Sequence, residues 1–156
     1  MRGNEDKKQE KLAPINISTT ITAGPNRRMI ARARDHQIVL DVRKERGGED
    51  AGPTPPECLA MALGGCIVNM CRVLAMQKGI VLEDLRVTVS GEIDPSKAFG
   101  ICADARAGFS HLSARVETGS RLSEAEMAEF SRELRDRCPL CDTINSPTPL
   151  EVIFPK

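Results

Sequence analysis

The sequence predicts an α+β fold, and three patterns in the chain favour that class. Short β-branched segments come in blocks instead of alternating strictly with helices, which argues against a doubly wound parallel sheet. One long apolar segment, residues 55–78, carries the start and stop residues of a helix. A second, amphipathic helix is predicted at residues 123–137. At 156 residues, the chain has the size of one domain with a substantial core.

The segment before the long helix is predicted to contain three strands. Residues 1–13 are rich in charged residues and are expected to form a flexible tail ahead of a single domain that spans residues 14–156. A loop containing three glycines, residues 47–53, leads into the helix. Alternating and β-branched residues indicate strands at residues 15–23, 28–35 and 36–44, with turns at residues 24–26 and near Asp35 and His36.

The long helix has a defined start and a defined end. Thr54 is an N-cap candidate, Pro55 suits the first helical position, and Glu57 completes a T-x-x-E capping box. Gly79 suits the position after the C-cap, so the helix is expected to end near Lys78. The helix is apolar over nearly its whole circumference, and one small sheet covers only one face. A second copy of the chain is therefore expected to cover the other face in a homodimer.

The second half of the chain is predicted to add three strands and the amphipathic helix. Ser123 and Glu126 form a capping box at the start of that helix. The segment after it, C-P-L-C-D-T-I-N-S-P, is expected to form a turn or a short helix, and residues 95–108 are expected to be irregular or to form a short helix. Strands are predicted at residues 81–94, 109–118 and 150–155, and the first of them carries Leu85, Val87 and Val89 on one apolar face.

Charge and composition argue against several classes of partner. The chain has 22 basic and 22 acidic residues, no Trp or Tyr and four Phe, so it offers nucleic acid neither a strong field nor a stacking surface. The longest apolar run is far shorter than the roughly 20 residues that span a membrane, and the charged N-terminus lacks a hydrophobic signal segment. We expect a cytoplasmic protein without nucleic-acid or membrane partners, whose six cysteines are mostly reduced.

Cys66 stands out among the cysteines because two glycines precede it inside a predicted helix. Each of Gly64 and Gly65 weakens a helix interior by about 1 kcal/mol relative to alanine. The other cysteines of the helix are poor partners for Cys66. Cys71 points about 140° away, and Cys58 lies more than about 10 Å along the axis. A partner for Cys66 must therefore come from elsewhere in the chain.

The C-P-L-C motif, from Cys138 to Cys141, is the other segment rich in thiols. A C-x-x-C motif occurs in redox dithiols and as half of a zinc site. A helix instead of a strand precedes this motif, which argues against a redox dithiol. A second cysteine pair is missing and the histidines are His36 and His111, which argues against zinc. No metal and no cofactor are predicted.

Three segments together resemble the OsmC/Ohr family, named after osmotically inducible protein C and the organic hydroperoxide resistance protein. These are the run G-G-E-D-A-G-P-T-P-P-E-C-L-A-M-A-L-G-G-C, the K-G-I that ends the helix, and R-C-P-L-C-D-T-I at residues 137–144. The resemblance extends in element order from about residue 15 to residue 155. It implies an OsmC-like fold, with curved antiparallel sheets around long central helices in an intertwined homodimer.

The resemblance also implies a thiol-dependent reductase of organic hydroperoxides. Cys66 would be the peroxidatic residue, which attacks the O–O bond of a small hydroperoxide and becomes a sulfenic acid. Cys138 would be the resolving thiol, and a dithiol would reduce the resulting disulfide. Cys141 would either compete with Cys138 or be a buried packing residue. The alternative is a member of the same fold that is not a peroxidase and binds or carries a small thiol or sulfur species.

In this family an arginine, oriented by a glutamate near the helix start, activates the peroxidatic cysteine. Members that reduce organic hydroperoxides place the glutamate ten residues before the cysteine, and Pro56 occupies that position here. Glu57, nine residues before Cys66, is the candidate for the orienting glutamate. Alternatively, its carboxylate serves only the capping box. Arg46 is the first candidate for the arginine and Arg43 the second.

Overall fold

The computed structural model describes residues 11–155, so most of the expected tail, residues 1–10, lies outside the described residues. Contacts group the chain into two compact units, and the boundary along the sequence falls between Thr54 and Pro55. The single-domain assignment stays a prediction. The strands and helices, in chain order, are β1 (Thr20–Ala23), β2 (Met29–Ala33), β3 (His36–Leu40), α1 (Pro55–Lys78), β4 (Arg86–Glu92), β5 (His111–Glu117), α2 (Glu124–Arg137) and α3 (Pro139–Asn145).

The first unit contains a three-stranded antiparallel sheet in the order β1-β2-β3. The predicted turns join its strands: Asn26, with φ of 56°, lies between β1 and β2, and Arg34, with φ of 54°, lies between β2 and β3. Both are positions where the chain must reverse within a few residues. The first strand is shorter than predicted, because residues 15–19 have no strand neighbour and stay outside the sheet.

Helix α1 starts and ends where the sequence predicts. At its C-terminus Gly79 has φ of 66°, and the Ile80 N–H donates to the Ala75 carbonyl at 2.9 Å, which is a Schellman-type end. One face of α1 packs against β4, α2 and α3. The buried residues of that face are Leu63, Ile67, Cys71, Leu74 and Ala75.

The second unit covers α1 with a two-stranded sheet and two further helices. Strands β4 and β5 pair antiparallel, from Arg86 opposite Glu117 to Glu92 opposite His111. The predicted apolar face of β4 is confirmed, because Val87 and Val89 pack against the buried cluster of α1. Residues 95–108 contain neither helix nor strand, as expected.

Helix α2 begins with the predicted capping box and packs its apolar face onto α1. The Ser123 hydroxyl accepts from the Glu126 N–H at 3.3 Å, and the Glu126 carboxylate accepts from the Ser123 N–H at 2.8 Å. Phe130 and Leu134 are the buried residues of the helix. The same two helices are also joined by ion pairs. Lys78 of α1 donates to the carboxylates of Glu129 and Glu133 of α2, at 2.9 and 2.7 Å.

The predicted closing strand at residues 150–155 is wrong for the single chain. The segment has no regular structure, and its side chains are exposed, Phe154 to 89%. An extended segment becomes a strand only when its backbone pairs with a neighbour, and the described chain offers it none. Helix α1 also keeps apolar side chains exposed, including Leu59 and Met61. By length and composition alone, α1 could cross a membrane. The core helices of soluble proteins often meet the same two criteria.

Candidate functional site

The structure brings Cys66 and Cys138 together. Their sulfur atoms lie 3.2 Å apart, although 72 residues separate them in the chain. Cys66 lies in the middle of α1 and is partly buried, whereas Cys138 is fully buried between α2 and α3. The partner that Cys66 lacks within its own helix is thus supplied by the C-P-L-C motif.

Cys138 is the single non-helical residue between α2 and α3. Its backbone is extended, with φ of −81° and ψ of 115°, because the ring of Pro139 disfavours the helical conformation in the residue before it. The Cys138 N–H still caps α2 by donating to the Leu134 carbonyl at 2.9 Å. Pro139 then begins α3, so the C-P-L-C motif opens a helix as well as ending one. The helix that precedes the motif therefore does not by itself exclude a redox dithiol.

The first turn of α3 directs N–H groups at the sulfur of Cys138. Burial by itself raises the pKa of the Cys138 thiol. Hydrogen bonds from the Cys141 N–H, the Cys66 thiol, the Cys141 thiol and the Leu140 N–H act against it and bring the pKa below its ordinary value. Hydrogen bonds to the charged form favour that form. Within this thiol pair, the negative charge therefore resides more readily on Cys138.

Cys66 has the opposite tendency. Burial raises the pKa of the Cys66 thiol, the Leu140 N–H lowers it, and the hydrogen bond and charge of Cys138 raise it again, with a net increase. The two thiols are close enough to titrate as a pair. Cys66 therefore needs a further positive charge to act as a thiolate near neutral pH.

Two further cysteines adjoin the pair. Burial raises the pKa of Cys71 to about 11, and the charge of Cys138 adds to it. Burial, the hydrogen bond with Cys138 and the nearby charges raise the pKa of Cys141 to about 12. Cys71 is fully buried, whereas Cys141 is partly exposed. The two are thus protonated at neutral pH when Cys138 carries the charge.

The two glycines before Cys66 differ in their surroundings. A Cβ atom on Gly64 would lie 3.3 Å from the Cγ2 methyl of Val89, so this glycine lets α1 approach β4 closely. A Cβ atom on Gly65 would meet nothing within 4 Å in the described chain. Gly64 thus permits close packing of α1 against β4, and Gly65 leaves open space next to Cys66.

A broad groove of about 1640 Å³ runs along the second unit, and its lining includes Cys71 and Cys141 but neither Cys66 nor Cys138. Its walls include Leu63 and Ile67 of α1, Phe109 and Phe130, and the thiol-bearing residue Cys141. Most of these side chains are apolar, which suits an organic ligand. Within residues 11–155, no group of three or more His, Cys, Asp or Glu side chains could hold a metal ion.

The comparison with known families agrees with this geometry. A family model described as OsmC-like protein matches residues 47–153. The chain belongs to the OsmC-like protein family. The hydroperoxide reductase of Mycoplasma pneumoniae (strain ATCC 29342 / M129 / Subtype 1) is 25% identical to it over 147 residues, which are 94% of each chain.

Solved structures show the same OsmC-like fold. The OsmC like protein from Mycoplasma pneumoniae has a TM-score of 0.75 and 24% identity, over 85% of this chain and 89% of that one. The organic hydroperoxide resistance protein OsmC from Legionella pneumophila has a TM-score of 0.64 and 19% identity, over 85% of this chain and 91% of that one. Antiparallel sheets and a long helix are common to the fold and to this OsmC-like protein, so the predicted fold class is confirmed.

Glu57 lies in the first turn of α1 of this OsmC-like protein, as predicted, but not beside Cys66. Nine helical residues correspond to about 13 Å along the axis and about half a turn around it. Pro56 precedes Glu57 in the same turn. Burial raises the pKa of the Cys58 thiol, and the Glu57 charge adds to this increase. The catalytic role of Glu57 stays a prediction.

Arg43 and Arg46 lie in a loop of the first unit that a buried carboxylate organises. Asp41 accepts hydrogen bonds from the N–H groups of Val42, Glu49 and Ala51 at 2.7, 3.1 and 2.9 Å. The Ala51 N–H is the largest cause of the lowered pKa of Asp41. Burial opposes it, and the Val42 and Glu49 N–H groups and Arg28 support it.

The same loop is tied to the first sheet by two arginines of the turn after β1. Arg28 forms an ion pair with Glu49, and Arg27 donates to the Arg46 carbonyl at 2.9 Å. The Arg43 and Arg46 residues are exposed. Their roles toward Cys66 stay predictions.

Two site features were not found from the sequence. The first is the place of Cys141 beside the thiol pair, and Pro139 was the available signal, because it predicts a helix restart directly after Cys138. The second is the buried Asp41. An aspartate at the end of a strand before a glycine-containing loop is a common loop organiser, but the sequence does not reveal that it is buried.

Proposed function

We propose that this OsmC-like protein is a thiol-dependent reductase of organic hydroperoxides, with Cys66 as the peroxidatic residue and Cys138 as the resolving residue. The observation that carries the proposal is the 3.2 Å distance between their sulfur atoms. The name of the Mycoplasma pneumoniae relative, hydroperoxide reductase, supports the reaction class. The apolar groove supports an organic substrate.

In the first half of the reaction, the Cys66 thiolate attacks the terminal oxygen of a hydroperoxide, ROOH. The O–O bond breaks, the sulfur becomes a sulfenic acid, and the alkoxide takes a proton to leave as the alcohol ROH. In the second half, the Cys138 thiolate attacks the Cys66 sulfur and displaces hydroxide, which leaves as water. A Cys66–Cys138 disulfide remains, and a dithiol reduces it. The lowered pKa of Cys138 suits the second attack.

The first attack needs a positive charge near Cys66, because its surroundings raise the thiol pKa. We assign that charge to Arg46 first and to Arg43 second, with Glu57 as the orienting carboxylate. Each unit by which a thiol pKa rises lowers the thiolate fraction at neutral pH about tenfold.

Arg46→Ala is therefore expected to lower kcat/KM for cumene hydroperoxide by about tenfold or more, and Arg43→Ala by less. The readout is the pH dependence of kcat/KM, whose acidic limb moves to higher pH when the charge is lost. The control is Arg132→Ala, which removes an exposed arginine of α2. Unchanged pH profiles in both loop variants would remove these arginines from the mechanism.

The central experiment follows oxidation by one equivalent of cumene hydroperoxide by intact mass. Wild type is expected to lose two hydrogens rapidly. Cys138→Ser is expected to gain one oxygen that dimedone traps as a sulfenic acid adduct, and Cys66→Ser is expected not to react on that timescale. Cys102→Ser is the matched control, because Cys102 is exposed and lies in the irregular segment. Equal, slow oxidation of wild type and Cys66→Ser would refute the proposal.

A second candidate function is the binding or carriage of a small thiol or sulfur species without hydroperoxide turnover. The observation that favours it is the preference for a thiolate at Cys138 over Cys66. This candidate predicts that the protein retains a stable mixed disulfide or persulfide at Cys138 after incubation with a low-molecular-weight disulfide or polysulfide, together with slow hydroperoxide reduction. The same intact-mass experiment separates the two functions.

We also propose that the protein works as a homodimer in the cytoplasm. The exposed apolar side chains of α1 and of residues 150–154 are the surfaces that a second copy would cover. The cysteines are free thiols, which suits a reducing compartment.

A further inference from the structure

Cys141 has no part in the two-cysteine reaction, yet its thiol adjoins the reacting pair. The two thiols of Cys138 and Cys141 are close enough to shift each other's pKa, and the Cys138 sulfur in turn lies 3.2 Å from the Cys66 sulfur. The three sulfurs are therefore connected in sequence, with Cys138 in the middle. Cys138 can form a disulfide in either direction without a large rearrangement.

Helical geometry makes the Cys138–Cys141 pair suitable for a disulfide. Cys138 is the N-cap of α3 and Cys141 lies three residues later in the first turn. Residues three apart on a helix have Cβ atoms about 5–6 Å apart, whereas a disulfide requires Cβ atoms about 3.5–4.5 Å apart, so the two must approach by about 1–2 Å. A small adjustment of the first turn brings the sulfurs to bonding distance.

Burial distinguishes Cys138 from Cys141. Cys138 is fully buried, so an external dithiol has no access to its sulfur. Cys141 is partly exposed and lines the apolar groove of the second unit. A disulfide that includes Cys141 therefore presents a sulfur to the groove, where a reductant can attack it.

We propose that Cys141 is a third redox-active residue, which takes the disulfide over from Cys66. This proposal rests on the proposed hydroperoxide reductase function. The Cys141 thiolate attacks the Cys138 sulfur of the Cys66–Cys138 disulfide, forms the Cys138–Cys141 bond and releases Cys66 as a thiolate, so the exchange is redox-neutral. A dithiol then attacks Cys141 from the groove and reduces the second disulfide.

The charges around Cys141 give this exchange its order. In the reduced protein, the hydrogen bond and charge of Cys138 and the charge of Cys66 add to burial in raising the pKa of Cys141. A disulfide between Cys66 and Cys138 removes both charges, which leaves burial as the main effect. Cys141 thus becomes a better nucleophile only after Cys66 has been oxidised.

Tryptic peptides separate the two disulfides cleanly. Cleavage after Arg46, Arg72 and Arg137 gives one peptide, residues 47–72, that contains Cys58, Cys66 and Cys71, and another, residues 138–156, that contains Cys138 and Cys141. Fragment spectra of the linked peptides assign the bond to Cys66. The first disulfide links the two peptides. The second appears as a loss of two hydrogens within the peptide 138–156.

The experiment mixes reduced protein with one equivalent of cumene hydroperoxide, blocks free thiols with N-ethylmaleimide at successive times, and digests without reduction. In wild type and in the control Cys102→Ser, the linked peptides are expected to appear first and then to be replaced by the internal disulfide. In Cys141→Ser the linked peptides are expected to accumulate, and turnover with excess dithiothreitol is expected to fall severalfold.

The outcomes separate this proposal from the proposed function. If linked peptides form in wild type and persist, the two-cysteine reaction stands and the role of Cys141 is refuted. If hydroperoxide produces no linked peptides in any variant, the reductase function itself fails, and the transfer fails with it.

A second variant tests the Cys138–Cys141 geometry without hydroperoxide. Cys66→Ser equilibrated with oxidised dithiothreitol is expected to form the internal disulfide of the peptide 138–156. Failure to form it, in a variant whose circular dichroism matches wild type, would also refute the transfer.

Discussion

At the residue scale, the reactivity of the site depends on the difference between two neighbouring thiols. N–H groups of the first turn of α3 lower the pKa of Cys138 despite its burial, whereas burial and Cys138 itself raise the pKa of Cys66. The thiol of the resolving residue is thus made more acidic by its own helix. The peroxidatic residue depends on a charge from elsewhere.

Removing Cys138 is therefore expected to make Cys66 more acidic. The charge and hydrogen bond of Cys138 raise the pKa of Cys66, so Cys138→Ser lowers that pKa and increases the thiolate fraction at neutral pH. The measurement is the rate of Cys66 alkylation by iodoacetamide against pH, read from fragment spectra of the peptide 47–72. The midpoint should move to lower pH than in wild type. A midpoint at the same or a higher pH would contradict the coupling.

The two glycines before Cys66 are expected to respond differently to alanine. Gly65→Ala should stabilise the protein by up to about 1 kcal/mol, because alanine favours a helix interior and its methyl group meets open space. In Gly64→Ala the contact with Val89 offsets that gain. Urea unfolding at fixed protein concentration measures both free energies.

Hydroperoxide turnover then tests why Gly65 is present. If substrate or the alcohol product uses the space next to Cys66, Gly65→Ala lowers kcat/KM although it stabilises the fold. A Gly65→Ala variant with wild-type turnover would show that the reaction does not need this space.

At the element scale, a proline between two helices creates the site. Pro139 interrupts the helical path after Arg137, so Cys138 adopts an extended backbone and α3 restarts with its N–H groups near the thiols. The proline directly after Cys138 was a visible signal for this helix start in the sequence, as the S-x-x-E motif was for the capping box of α2. The sequence could not show which groups these N–H donors contact, because that depends on the packing of α2 and α3 against α1.

The loop that carries Arg43 and Arg46 depends on a buried carboxylate. The folded-state pKa of Asp41 is lowered from its ordinary value of 3.8. Its ionised form therefore stabilises the fold fully above that value, and this contribution is lost as the pH falls through the lowered pKa. Asp41→Asn should lower the urea midpoint at neutral pH and lose less stability than wild type on acidification. The exposed Asp35→Asn is the control, and equal acid sensitivity in Asp41→Asn and wild type would contradict this role.

At the scale of the whole molecule, the single chain leaves apolar surface uncovered. Met61 of α1 is 61% exposed, and the side chains of residues 150–154 are exposed on a segment without strand partners. Large apolar side chains with this degree of exposure are typical of an interface. Wild type is expected to sediment as a dimer and Met61→Asp to shift toward monomer, with reduced turnover. A monomeric wild type at micromolar concentration would contradict the homodimer.

The alternation of apolar and polar residues within the strands, together with the helix caps, was sufficient to predict most of the fold. The helix bounds, the hairpins and the apolar face of β4 followed from local patterns. The closing strand did not form, because strand formation depends on a partner edge that no local pattern specifies. For the site, the resemblance supplied the pairing of Cys66 with Cys138, and the structure added the direction of their pKa shifts and the contact with Cys141.

The most direct test of the account is the second-order rate constant for oxidation of reduced protein, measured by stopped flow with cumene hydroperoxide and with hydrogen peroxide. We predict that wild type and Cys138→Ser react rapidly, that Cys66→Ser loses the rapid phase, and that the organic hydroperoxide reacts faster because the groove is apolar. A rapid phase that survives in Cys66→Ser and disappears in Cys138→Ser would contradict the assignment of Cys66 as the residue that hydroperoxide oxidises first.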